Sequence, residues 1–478
     1  MRKSQHRSQP PRKPINQMAT ALLVGSVAIA ATEAAAAERL KANNADDLNL
    51  GSSWVGGIVP GASDIAVWDS TVTGPNTTLL GANQTWSGLK LTNPGGSVEI
   101  SAGNTLTLGA DGLDLSGASQ DLILAAPVTL LGDTVQDWVV APGRTVTLKG
   151  ALNRSAGAIV RFDTLSGGII HLETATEVPA GIRYSTTGDN TDFGALNSQA
   201  QVVGLAESGV EYAVNNNGNP PSIAGNYNYI DVVNGDSANS YGIRLSNNIF
   251  IDGGVRFNTR HSFRNDWRVN FGSSRNFNAN NILVTTNLGN QPVVFEATAG
   301  AGIRLGAGAE LLIQQHNIYA DVVVDAPITQ QGGAGSVLVK SGAGRLVLNA
   351  LNYGYLGATK VLDGELAVNG QINASSAVVV KNGAAVGGRG YIPGTVTVEN
   401  GGSIAPGFDG TGTLTLGGAT TLGDVSIRFY DSTVPTTNTT ALLNITNNIT
   451  FNGVVNVSIL SGGATIGQYP LIRWTNAF

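Results

Sequence analysis

The chain has 478 residues, a formal net charge of −6, 13% charged residues, 42% hydrophobic residues, 63 glycines and no cysteine. So little charge beside so much apolar residue excludes a chain kept disordered by self-repulsion. The absent cysteine excludes disulfide frameworks, thiolate metal sites and thiol nucleophiles, and the acidic balance gives no drive toward specific nucleic-acid recognition.

Residues 1–37 open with Arg2, Lys3, Arg7, Arg12 and Lys13, continue through a small apolar stretch from Ala19 to Ala31, and close on Ala34 to Ala37. A basic region, a short apolar region and a small-residue end are the parts of a secretory signal peptide, and the stretch is too short for a membrane anchor. Its removal leaves a more acidic, exported chain. No later segment has the long uninterrupted apolar run of a spanning helix.

Residues 38–88 read as an N-terminal capping region, with Trp54 and Trp68 beside the first strands as a lid. Over 89–460 apolar residues alternate for four or five positions and stop at Gly, Asn, Asp or Pro. Examples are Leu89/Leu91, Val98/Ile100, Leu106/Leu108, Leu122/Leu124, Val146/Leu148, Leu346/Leu348, Leu366/Val368, Val396/Val398 and Leu414/Leu416. Period two means strands with one buried face. The interval from Val378 to Val396 equals that from Val396 to Leu414 and that from Val128 to Val146, and the interval from Leu89 to Leu106 is one position shorter. Such recurrence points to a solenoid. The architecture expected is all-β, a right-handed parallel β-helix of roughly 18 to 22 rungs; an array of β-sandwiches is the competing arrangement. Residues 461–478 form the C-terminal end.

In the last third the chain reads Gly342-Ala-Gly-Arg-Leu-Val-Leu348, then Asn352 to Val361, then Gly364-Glu-Leu-Ala-Val368. This resembles the autotransporter-associated β-strand repeat, with Gly342, Gly344, Leu346, Leu348, Asn352, Gly357, Thr359, Val361, Gly364, Leu366 and Val368 on its pattern and Tyr353 or Tyr355 as its aromatic. The likeness covers 335–420 most closely and includes Gly394 to Gly407 and Gly412 to Gly417. It implies a β-helical passenger of a bacterial exported protein, extracellular or associated with the outer membrane. The segment after Leu422 is too short for the membrane barrel that ends an autotransporter, so the chain is either a passenger anchored by a separate outer-membrane partner or an incomplete one.

Chemistry-bearing constellations are sparse. β-Helices also host polysaccharide-processing enzymes, which need clustered carboxylates; Asp111/Asp114, Asp189/Asp192 and Asp321/Asp325 read more simply as turn residues and strand ends. His171, His261 and His316 lie far apart, and the Gly-rich segments at 300–304 and 387–390 lack a phosphate-loop lysine. No catalytic residue, metal ligand or cofactor is assigned. One segment stands apart: Arg256, Arg260, Arg264, Arg268 and Arg275 interleave with Phe257, Phe263, Trp267, Phe271 and Phe277. Arginine with aromatic residues suits surface glycans or other anionic polymers. Phenylalanines filling the interior with arginines outside is the alternative. The expected function is therefore a non-enzymatic, adhesin-like surface structure, against a β-helix enzyme or a secreted polymer-binding matrix protein. Association through the C-terminal rung, either with a second copy or with a missing continuation, is expected as well, because an uncapped solenoid end leaves backbone groups unpaired.

Overall fold

The computed structural model describes residues 36–175, 178, 182–187, 189, 192–208, 222–232, 243–260, 266–271, 276–297, 301–351, 353–408, 411–431, 442–461 and 471–475. The expected signal peptide falls almost wholly outside them. The protein is all-β, with 51% strand and 2% helix, and its parallel sheets stack as a β-solenoid of about 14 turns. The 18 to 22 rungs expected from a short repeat are too many.

The rung length explains the difference. Leu122 pairs with Val146 and Val146 with Ile170, so one rung here is about a third longer than the interval read from the sequence. Each comprises three strands, as in Leu122–Leu124, Val128–Leu130 and Val135–Val140. Toward the C-terminus the rung shortens and lengthens again: Val378 pairs with Val396, but Leu414 pairs with Leu443. Of the four recurring intervals, only Val378 to Val396 joins consecutive rungs. The others link strands on different faces, since Val128 pairs with Leu106 and Leu152, Leu89 with Leu113, and Val396 with Thr420. All three faces of a rung carry the same alternation, so spacing alone does not tell them apart.

Alternation places the core. In Val378–Val380 and Leu414–Leu416 the outer two residues are buried and the middle one half-buried. Leu346, Leu366, Val396 and Leu414 are all fully buried. Burial of each such side chain contributes roughly 1.5–3 kcal/mol. Gly342 (φ 76°) and Gly364 (φ 66°) turn the corners in a conformation that favours glycine. A Cβ on Gly364 would lie 2.4 Å from the carbonyl oxygen of Gly342, so the corners also pack too closely for any side chain. Both candidate aromatics of the repeat are interior: the Tyr353 hydroxyl donates to Val324 O at 2.7 Å, and the Tyr355 hydroxyl lies 2.6 Å from Thr359 Oγ1.

The chain forms two stacks. The first begins at Ala37–Leu40, which pairs with Asp64–Trp68. Trp54, Trp68 and Trp86 close its start, with ring centroids 5.8 to 6.3 Å apart. At its far side the winding ends: Ile182–Ser185 pairs antiparallel with Asp192–Leu196, which pairs antiparallel with Val202–Gly204. These are the two antiparallel pairings between described strands; parallel pairing elsewhere rules out the sandwich array. The second stack runs as one ladder from Ser222–Val232 to Val455–Ser461.

Candidate functional site: a seam between stacks and an open end

The two stacks lie side by side, in opposite order. Asp133 meets Lys360 at 2.7 Å, Arg154 meets Glu310 at 2.6 Å, and Asp192 meets Arg256 at 2.8 Å, so the contacts of the second stack descend as those of the first ascend. Between them Ile159, Leu312, Val339 and Leu362 form a buried apolar cluster, with Val135 and Val337 packed against it. These side chains point outward from their own rungs and are dry because the other stack covers them. Phe193, Ala195, Leu205 and Leu283 continue the contact.

The seam also buries basic groups. The Arg183 guanidinium lies 3.0 Å from His316 Nε2, and the imidazole nitrogen accepts. Burial, then the positive charges of Arg183, Lys340 and Arg161, hold the His316 pKa well below 6.5; the ring is neutral at pH 7. Burial lowers Arg183 to about 10, still charged. Lys340 occupies a core-facing position in line with Val361. Its ammonium turns to the corner and donates to the carbonyls of Ser341 (3.0 Å), Gly342 (2.5 Å) and Asp363 (2.8 Å). Burial brings its pKa down to about 7. These carbonyls do the work of a counter-ion, and the lysine acts as a corner clamp.

The arginine and aromatic segment is distributed otherwise than a surface patch requires. Phe257, Trp267, Phe271 and Phe277 are fully buried, and the Trp267 indole N–H donates to Thr259 O at 2.7 Å. Phe271, Phe277 and Phe295 stack on one another in the interior. Arg256 pairs with Asp192 in the contact between stacks, and Arg268 pairs with Asp266 (2.8 Å) and Glu296 (2.9 Å). Arg260 is exposed and donates to Asn290 Oδ1. Arg264 and Arg275 lie outside the described residues, as do His261 and Phe263. The described aromatics therefore offer no face for stacking, and two of the three described arginines are matched by carboxylates. Asp321, one of the paired aspartates, holds Arg345 through two bonds of 3.0 and 2.7 Å, and Asp325 accepts from Asn349. No group of three or more His, Asp or Glu side chains suited to a metal occurs among the described residues.

The second surface is the end of the second stack. Val425, Ile427 and Phe429 are buried and pair with Val455, Val457 and Ile459. The same columns become exposed one rung later: Val457 is 51% and Ile459 52% accessible. On the other faces Leu422 leads to Phe451 (47%) and Ile445 to Trp474 (50%). The last described rung thus presents core-facing side chains to solvent. Sequence reading did not find the seam, whose signal was the apolar runs Leu311-Leu-Ile313 and Val337-Leu-Val339, where alternation gives way to two apolar faces. No helix among the described residues is long and apolar enough to cross a membrane. Comparison of the chain with protein-family models, with curated proteins and with solved structures finds no match in any of the three.

Proposed function

We propose that this chain is a non-enzymatic structural protein of a bacterial exterior, an exported, passenger-like β-solenoid that acts as a rigid surface spacer. The observation that carries the reading is the unbroken parallel ladder of the second stack, from Ser222–Val232 to Val455–Ser461, braced along its side by the first. Such a construction resists bending, because a bend must open either a core column or the seam. The residues that resemble the autotransporter-associated repeat fall on consecutive rungs of that ladder, Arg345–Leu348 pairing with Glu365–Val368, which supports a repeat built for length. The leader-like residues before Ala37 support export.

Expression of the full chain in a Gram-negative host, followed by fractionation and N-terminal analysis, tests this. A processed form that starts close to Ala37, and is reached by protease added to intact cells, is expected. An unprocessed chain retained in the cytoplasm would overturn the reading.

A further inference from the structure

We propose that the side of the second stack around Tyr391 binds a polysaccharide built from carboxylated sugars. On this face Gln371 pairs with Tyr391 and Tyr391 with Thr415, so the three form one column with about 4.8 Å between rungs. Their neighbours Ile372, Ile392 and Leu416 are buried in the core, and alternation turns the column itself outward. Tyr391 is 38% accessible. A Cβ at Gly417 would lie 2.4 Å from its hydroxyl oxygen and 2.6 Å from its ring, so the ring rests on a bare glycine. Arg389 is seated in the same manner: a Cβ at Gly412 would lie 2.7 Å from its Cβ and 3.1 Å from its Cδ. The two glycines that bracket the run Gly412-Thr-Leu-Thr-Leu-Gly417 thus bed an arginine and a tyrosine side by side.

These side chains are available to a ligand. Arg389 is exposed, with its guanidinium 5.7 Å from the Phe408 ring, and no carboxylate pairs with it among the described residues. Arg345, 4.5 Å from the same ring, is by contrast held by Asp321. No hydrogen bond among the described residues engages the side chains of Gln371 and Thr415. Each group then names part of the ligand. An aromatic ring takes the apolar C–H face of a sugar out of water. The amide and the hydroxyl, one rung to either side, meet sugar hydroxyls. The guanidinium receives a carboxylate through two parallel N–H bonds. A nucleic acid fits worse: it brings a phosphate at every nucleotide to a chain of net charge −6, and its binding needs a row of cations rather than the single Arg389.

The inference stands on the geometry of this face and is independent of where the protein resides. Affinity electrophoresis of the full chain through gels that contain polygalacturonate, dextran or double-stranded DNA reads binding as retardation. The wild type is expected to be retarded by polygalacturonate, less so as salt is raised, and not by dextran. Tyr391→Ala and Arg389→Gln should each weaken that binding about tenfold or more, with melting curves like the wild type's because both side chains are exposed. Tyr391→Phe, which keeps the ring, should retain it. A wild type that runs unretarded in polygalacturonate at low salt overturns the proposal, as do alanine and glutamine variants retarded as strongly as the wild type. Equal retardation by dextran overturns the role of the carboxylate, and equal retardation by DNA overturns the choice of a sugar polymer.

Discussion

Acidification should weaken the protein through one residue, His316. The ring is buried in the seam, accepts from Arg183 across 3.0 Å, and also faces the charges of Lys340 and Arg161. Its folded pKa lies well below 6.5, the value it regains when the chain unfolds. Below pH 6.5 the unfolded chain therefore takes up a proton that the folded chain refuses, and stability falls as pH falls, by up to about 1.4 kcal/mol per unit. The loss builds up progressively as pH falls through 6.5, and well above 6.5 the ring is neutral in both states and contributes no slope. Lys340 does not confound this window. With a folded pKa of about 7 against 10.5 unfolded, it is charged in both states once the pH is well below 7 and raises stability with pH mainly between about 7 and 10.5, and both proteins carry it. Denaturant unfolding of wild type and His316→Gln at fixed ionic strength, from pH 5 to 8, measures the effect. The glutamine retains an acceptor for Arg183 but does not titrate, so its curve should lack the acid loss. Parallel pH dependences for the two proteins would refute the argument.

Two further outcomes separate the seam from the core. Leu312→Ala removes a seam side chain 1% accessible and should cost about 2–5 kcal/mol, read as a lowered unfolding midpoint; a change within about 0.5 kcal/mol, the range of a surface substitution, would mean that the stacks do not press together. Leu366→Asp places an unpaired charge in a column that runs from Leu346 through Val386 and should cost several kcal/mol. An unaltered melting curve would contradict the register.

Much of the fold was legible because it is local. A strand that buries one face must alternate, a corner with positive φ wants glycine, and a rung cannot bury its core alone, so alternating runs, Gly342 and Gly364, and recurrence together imply a solenoid. The rung length was harder to read. Pairing partners are chosen by three-dimensional stacking, and Val128 and Val146 look alike in sequence although they lie on different faces.

The tertiary structure alone decided what lies beyond the rung. Arg256 and Arg268 were part of a basic cluster in sequence; their partners Asp192 and Glu296 are distant in the chain, and only folding brings them to 2.8 and 2.9 Å. Phe257, Phe271, Phe277 and Trp267 went inward because the inner face of a strand is where apolar area leaves water. Likewise Ile159 and Leu312 come from different stacks, as do Arg183 and His316, and no local pattern announces that two stacks fold back on one another. The sequence by itself determined the solenoid, since every rung repeats the same short-range bargain between alternation and burial. The seam, the neutral histidine within it and the pairing of Arg256 with Asp192 were settled by contacts between the stacks, where sequence separation carries no information about distance.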